Sequence, residues 1–586
     1  MADLPATQRR SFVAMLDITT RRAWTPPGYG QIAIVIIIAA IGFYVIYPLA
    51  SIIINSFNVA QPGQPPTFSI DAWVNAWHNR GVIAALGNSF KVAFWYQLLS
   101  FPIGVLLAWV LGRTNLPASR WLEFCFWLSF FLPALSTTLG WILILDPHAG
   151  LLNQALARVF GIERGPFNIF SFAGIVWTHL VSHAISAKVM LLTPAFRYMD
   201  AALEEASQTC GADRWRTLLR VTLPVMTPPL VIVLVLSSIR LFESFEIELL
   251  LGAPFNFYVF STKIVDLARQ EPPLLGQGSA LGSVTLLILF AAVPIQRWLT
   301  TRRSYTTVTG RMRHTAINLG RWRWAVFAIV ASVAAILVLV PLFSVVAGSF
   351  MTRFGFFNLR QVWTLANWHR TLNDPAFASA LFNTFEIAIV AAVVGTLLFS
   401  IIAYLLVRAG NLRGRGLLDI LLWMPSVVPG VLTGLGLLWM FVDTPVFRPL
   451  YGTIWILVFA ALMGGMTLST QMLKTTFLQL SKELEEGARM CGAGWIRTYF
   501  RVVLPLVAPT LIVVAALDFM LAASATSSVV LLATSETRTL SLLVLDFVSV
   551  GQREAASVVT VVTIGLTTGM ALLARGLGLN LSIRSE

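Results

Sequence analysis

His179 and His183, four residues apart, are the first residues here whose types and spacing could do chemistry. On a helix they share one face, where they could ligate a metal or relay a proton. No carboxylate or thiolate stands near them in the sequence, so polar packing is the competing reading. Arg240, Glu243 and Glu246 follow at steps of three and could pair along one helix face. That set reads as an interfacial ion-pair ladder, an outer gate or a docking surface. Asp518 lies in an apolar run, where it could line a passage or bond neighbouring helices. The three cysteines, Cys125, Cys210 and Cys491, are too scattered for a zinc site or a disulfide framework. HExxH and GxSxG motifs are absent, and with no Gly-Lys dipeptide the chain cannot carry a GxxxxGK[ST] phosphate loop. Nothing here assembles a catalytic centre.

The elements that position these residues follow from composition. Of 586 residues, 57% are hydrophobic and only 12% charged, and mean hydropathy is +0.78. A globular chain is about a quarter charged, so this is a polytopic membrane protein, not a string of soluble domains. A helix needs about 20 apolar residues to cross the hydrocarbon core. Such runs lie at 31–54, 86–112, 121–145, 171–193, 225–250 and 279–299, and again at 324–348, 383–407, 417–441, 452–474, 506–532 and 555–575. The expected fold is all-α: twelve transmembrane helices in two tandem sixes. The expected organisation is a segment 1–30, a first unit 31–300, a basic linker 301–323, a second unit 324–576 and a tail 577–586.

The net charge of +14 comes from 41 Lys and Arg against 27 Asp and Glu. Most of the basic residues fall on one side when the amino terminus is placed in the cytoplasm, which puts both termini there. The linker, with Arg302, Arg303, Arg311, Arg313, Arg321 and Arg323, reads as an orientation signal in contact with anionic lipid; no nucleic-acid partner is expected.

The two sixes are one unit written twice. Tyr47-Pro48-Leu49 with Ser56-Phe57 returns as Val340-Pro341-Leu342 with Ser349-Phe350. Asn88-Ser89-Phe90 returns as Asn383-Thr384-Phe385; Trp127, Pro133 and Gly140 return as Trp423, Pro429 and Gly436. A duplicated unit with an even number of spans predicts a pseudo-twofold axis along the membrane normal, with a pathway along it. Lys91 and Glu386 are equivalent positions, so they could bridge the halves, or each could snorkel to its own interface.

The strongest echo lies between spans 4 and 5. Glu204 to Pro224 and Glu485 to Pro505 are identical at 11 of 21 positions without a gap, too close for an amphipathic loop matched by chance. Each copy predicts two short helices about a glycine hinge: Glu204 and Glu205 at a helix start, Gly211 as C-cap, Asp213 as the next N-cap, and a second helix from Trp215 to Val221 ending before Pro224. Gly492 repeats the hinge, Gly494 the cap position and Pro505 the stop. The acidic start, small middle (Ala206, Ser207, Cys210; Gly487, Ala488, Cys491) and basic end (Arg216, Arg220; Arg497, Arg501) describe a helix that another protein can approach closely.

On these residues the chain resembles the permeases of type I ABC importers. Glu205-Ala206-Ser207, Gly211 and Leu223-Pro224 match their signature loop once, and Glu486-Gly487-Ala488, Gly492 and Leu504-Pro505 match it again. Ser207 and Gly487 stand where the family has alanine, and neither adds bulk. The resemblance implies that each loop is a coupling helix seated on a cytoplasmic ABC ATPase. Two loops imply two copies of that ATPase, which would use ATP and Mg while this chain binds no cofactor. It also implies an extracytoplasmic solute-binding protein and a place in a bacterial inner membrane.

A fused double unit resembles the ferric-iron permeases, a group with relatives for thiamine and phosphonates. Phe245-Glu246, Leu249 to Gly252 and Tyr258 to Thr262, with Val530 to Leu532 and Thr539-Leu540-Ser541, look like their loops after spans 5 and 11. The expected cargo is ferric iron, with thiamine, phosphonate or another small solute as alternatives. A twelve-span secondary transporter, the alternative of a different class, has no need of the repeated loop.

Overall fold

The computed structural model describes residues 29–60, 64–163, 165–200, 202–301, 317–357, 359–408 and 414–576. The expected segments 1–30 and 577–586, and the linker with Arg302, Arg303, Arg311 and Arg313, lie largely or wholly outside the described residues. The chain is helical almost throughout, and among the described residues the only β pairings are isolated bridges.

Eight helices are long and apolar enough to cross a membrane: Val35–Asn55, Arg80–Arg113, Phe172–Arg197, Gly320–Phe350, Pro375–Arg408, Ile454–Gln479, Trp495–Ala523 and Arg553–Ala574. Three bent pairs, Ser119–Phe130 with Ala134–Leu145, Trp215–Val225 with Thr227–Arg240, and Arg415–Val427 with Gly430–Asp443, bring the number to eleven. Leu275–Thr301 stands at the sixth expected position, so the two sixes are in place.

The departures from twelve straight spans have local causes. Spans 3 and 9 break by 98° and 112°. The breaks fall at Pro133 and Pro429, both in extended backbone with ψ 136° and 143°, where the missing N–H ends the ladder. Span 5, expected to reach residue 250, stops at Leu241, and span 11 stops at Ala523 rather than 532. After each stop the chain turns back through short helices, Glu246–Gly252 and Phe260–Ala268 in the first unit and Leu540–Ser549 in the second.

The repeated residues hold the units together. Gly140 faces Pro341 and Gly436 faces Pro48: a Cβ on either glycine would stand 2.7 or 2.6 Å from the proline's carbonyl oxygen. The inner arm of each bent span therefore packs on the first span of the other unit, at a distance only glycine permits. Ser344 Oγ donates to the Gly140 carbonyl at 2.9 Å across the same seam. Asn88 donates to the Tyr258 carbonyl at 3.0 Å, and Ser89 Oγ accepts from the Phe260 N–H at 3.0 Å. Asn383 and Thr384 do the same for Arg538 and Leu540, at 3.0 and 2.9 Å. Each pair ties the loop after span 5 or 11 to the outer part of span 2 or 8.

Candidate functional site

The two cytoplasmic loops share one architecture. Ala202–Thr209 leads to Gly211 at φ +83°, and Glu483–Met490 leads to Gly492 at φ +82°. That left-handed conformation is open to glycine at little cost and strains any other residue. Asp213 then accepts from the Arg216 N–H at 2.7 Å, capping the next helix as its sequence position predicts.

The second helix differs from expectation. Arg214–Thr217 passes through a π-helical turn, Leu218–Thr222, into Leu223–Val225, and the copy runs from Trp495 through the π-turn Tyr499–Val503 into span 11. Pro505 does not stop the helix, and in the first unit the break comes after Pro224, at Met226. Each sits just after a π-turn, in the first positions of a new α segment, where a proline N–H is not needed.

Glu204 and Glu485 are not presented outward. Both are buried, and each ion-pairs with the arginine that ends span 2 or 8: Glu204 with Arg113, and Glu485 with Arg408 at 2.6 Å. Thr222 Oγ1 donates to Glu204 at 2.6 Å, and the Tyr404 hydroxyl donates to Glu485 at 2.7 Å. These carboxylates anchor each loop to its own bundle. Arg113 and Arg408 were legible as partners, since they occupy equivalent positions in the repeat, but only the fold shows where their side chains go.

The outward face carries Glu205, Ala206, Gly211 and Arg216 in one loop, and Glu486, Gly487, Gly492 and Arg497 in the other, all exposed. Ala488, Leu223 and Leu504 are half-buried beside them, and Pro224 and Pro505 are exposed. A Cβ at Gly211, Gly487, Gly492 or Gly494 would meet nothing within 4 Å. Large apolar side chains stand out of the same surfaces, among them Trp215 at 64%, Ile496 at 65% and Met490 at 89% exposure. Small, open backbone ringed by exposed apolar side chains is what a protein partner requires of a docking helix.

Near the other end of the bundle the expected ladder does not form. Arg240 lies in the last turn of its helix, Glu243 in the turn that follows, and Glu246 opens the next helix after Phe245 at φ −144°, so the three share no helix face. The Glu246 carboxylate instead lies beside the backbone of Ser527, its own equivalent in the second unit. Two equivalent positions that touch must lie at the pseudo-twofold axis.

Glu248, not singled out by the sequence, supplies the carboxylate that His179 was expected to lack. His179 Nε2 and Glu248 Oε1 are 2.7 Å apart and buried, and Ser244 Oγ donates to the other carboxylate oxygen at 2.5 Å. His183 lies within the π-turn Leu180–Ala184 and packs edge-on against Phe130. Among the described residues no three His, Cys, Asp or Glu converge as metal ligands. Lys91 and Glu386 do not pair either: Lys91 Nζ sits 4.6 Å above the Phe172 ring of its own unit. Asp518 is buried between three helices, accepting from Ser469 Oγ at 2.6 Å and Thr396 Oγ1 at 3.4 Å, a bond between neighbours. Lys188, a charge inside an expected span and thus detectable, is fully buried with its Nζ 4.3 Å above Tyr96.

The fold and the paired loops define an importer permease, and comparison with known families agrees. The model of the "Binding-protein-dependent transport system inner membrane component" family matches residues 100–305 and 396–581, two copies covering well over half the chain, so the chain belongs to that family. It is a multi-pass membrane protein and a type I ABC importer permease, not an enzyme. Among curated proteins it is 25% identical over 537 residues to the ferric transport system permease protein FbpB of Actinobacillus pleuropneumoniae, covering 89% of this chain and 74% of that one. The molybdenum transport system permease protein ModB of Haemophilus influenzae is 27% identical over 38% of this chain and 94% of its own. A putative 2-aminoethylphosphonate transport system permease protein PhnV of Salmonella choleraesuis is 25% identical over 47% and 98%.

Proposed function

We propose that this chain provides the translocation pathway of an ATP-driven importer whose cargo is ferric iron. One observation carries the importer mechanism: two loops, related by the repeat, share the same buried Glu–Arg anchor, left-handed glycine and open outward face. A cytoplasmic ATPase docks on each loop, so two copies serve one permease chain. ATP and Mg are bound by those ATPases and no cofactor by this chain. Nucleotide-driven closure draws the loops together, and each Glu–Arg anchor passes the movement to span 2 or 8. The units then tilt about the axis where Glu246 meets Ser527, opening the outer side to a loaded solute-binding protein. Both termini face the cytoplasm of a bacterial cell, with the permease in its inner membrane.

Iron is favoured over other solutes because the ferric permease aligns with nearly the whole fused chain, whereas the molybdenum and phosphonate permeases align with about half or less. Reconstitution with the ATPase and binding protein encoded beside it tests both levels of this reading. Ferric-loaded binding protein should stimulate ATP hydrolysis and iron uptake; stimulation only by thiamine, molybdate or a phosphonate would replace the cargo. Uptake driven by an ion gradient without ATP would favour a secondary transporter instead.

A further inference from the structure

The two units keep one ion pair although both of its members have changed. In the first, Glu123 on the cytoplasmic arm of span 3, Ser119–Phe131, meets Arg197, the last residue of span 4, at 2.6 Å. In the second, Asp419 on the arm Arg415–Val427 meets Lys474 of span 10, also at 2.6 Å. Glu123 and Asp419 are equivalent, at the offset that relates Trp127 and Pro133 to Trp423 and Pro429. The bases are not. At the offset that relates Glu204 to Glu485, Thr193 stands for Lys474 and Leu478 for Arg197, so the base has moved by four residues, about one helical turn.

The shift has a local cause. Thr193 is fully buried in the first unit, and a Cβ on Gly112 of span 2 would stand 2.9 Å from its carbonyl oxygen. Spans 2 and 4 lie too close there for a long basic side chain, so the base stands one turn on, past Pro194. In the second unit Val407 replaces Gly112, and Lys474 at the position of Thr193 is partly exposed. Both pairs are partly exposed, and pairs of that kind add little to stability. Stability therefore does not account for a pair kept through a change of acid, of base and of register. Both pairs join the same two things. Arg197 and Lys474 stand at the root of a docking loop, shortly before Ala202–Thr209 and Glu483–Met490, and their partners stand on the cytoplasmic arm of a bent span. Beyond Pro133 and Pro429 the other arm of that span is a wedge inside the bundle. Every residue from Leu135 to Leu145 and from Val431 to Phe441 is buried, and Gly140 and Gly436 set that arm against the first span of the other unit.

We propose that Glu123–Arg197 and Asp419–Lys474 are positioning pairs through which the docking loops lever the bent spans. The inference rests on the reading that nucleotide-driven closure moves those loops, and it is independent of the cargo. Each pair carries the movement into the cytoplasmic arm, and the proline break turns it into a swing of the buried arm at the seam. The Glu204 and Glu485 anchors drive spans 2 and 8; these pairs drive spans 3 and 9. A lever of this kind needs the tie but not a particular register, which is the pattern the two units share.

Spin labels at His148→Cys and Val446→Cys, both exposed just past the outer ends of the two buried arms, measure the swing. The full permease–ATPase complex is used, with Cys125, Cys210 and Cys491 replaced by Ser. ATP with vanadate should shift the distance between the labels relative to the nucleotide-free complex. Glu123→Gln with Asp419→Asn should lose most of that shift, while ATPase co-purification and the unfolding temperature stay unchanged. Lys474→Ala should lose a smaller part. Adding Leu478→Arg to it copies the first unit's register at a position 58% exposed, where an arginine has room, and should restore the shift. A full shift in the neutralised variant would overturn the levers and leave the importer reading standing. A loss that tracks ATPase release or a fall in unfolding temperature would do the same, as would one that Leu478→Arg does not recover. No shift in the complex with both pairs intact would overturn the tilting of the units, and the levers with it.

Discussion

The first and second units agree wherever the repeat touches the loops or the seam between them, and disagree over polar groups inside the membrane. Both keep the Glu–Arg anchor, the left-handed glycine, the proline break and the glycine that lets the other unit's first span approach. By contrast, His179 and Glu248 pair in the first unit where the second has Ala460 and Val529. Lys188 is buried over Tyr96 in the first unit, where the second has Ser469 bonded to Asp518; Asp518 itself replaces Ser237. The first unit thus buries a basic side chain and the second an acidic one at neighbouring positions of one scaffold. The features that anchor the loops and close the seam are duplicated, whereas the polar groups packed inside each bundle diverge.

The largest effect should come from breaking an anchor. Removing one member of a buried, hydrogen-bonded ion pair strands the other charge and costs about 3–5 kcal/mol. Glu204→Ala and Glu485→Ala should therefore each abolish stimulated ATP hydrolysis, with comparable losses, because Arg113 and Arg408 are stranded in the same way. Loss confined to one variant, measured in the reconstituted complex, would mean that only one loop transmits force.

A smaller, more selective loss is expected at Gly487. Its neighbourhood is open and its helix regular, so Gly487→Trp should leave thermal unfolding in detergent unchanged while weakening ATPase co-purification by about tenfold or more. Gly492 cannot make this distinction: at φ +82° any side chain strains the backbone first. Normal ATPase binding by Gly487→Trp would remove the helix face from the interface.

Which of these features were legible in the sequence depends on whether they repeat. Composition and apolar run length located the twelve spans, and the duplicated Asn-Ser/Thr, proline and glycine positions all turn out to hold the seam or the outer loops. The breaks at Pro133 and Pro429 were visible as repeated prolines, yet hydropathy averages over a bend. The ends of spans 5 and 11 were overrun for the same reason, because Ile247 to Leu251 is as apolar as the span before it. That error put Arg240, Glu243 and Glu246 on one helix face. The His179–Glu248 pair stayed hidden because its members are 69 residues apart and neither has a polar counterpart in the other unit.

Asp518 should show the divergence at intermediate size. Asp518→Ala leaves the Ser469 hydroxyl, and the weaker Thr396 contact, without their acceptor, at a cost of about 1–3 kcal/mol. At the equivalent position Ser237→Ala removes one acceptor of Gln97, whose amide still reaches Ser238 Oγ at 2.9 Å, so the loss should be clearly smaller. Thermal unfolding of the two variants in one detergent measures the difference. Equal shifts would mean that the second unit does not rely on its buried acid.

The smallest effect belongs to Lys91 and Glu386, which a cross-unit bridge would have made one of the larger ones. Lys91 is exposed and lies over Phe172, and Glu386 is half-buried and makes no ion pair among the described residues. Exposed cation–π contacts and interfacial carboxylates contribute little, so Lys91→Glu and Glu386→Lys should each leave transport nearly unchanged. The double swap should match the product of the single effects, because residues that do not touch do not couple. Rescue of a damaged single variant by the swap would instead show that spans 2 and 8 close on each other in a state of the transport cycle other than this one.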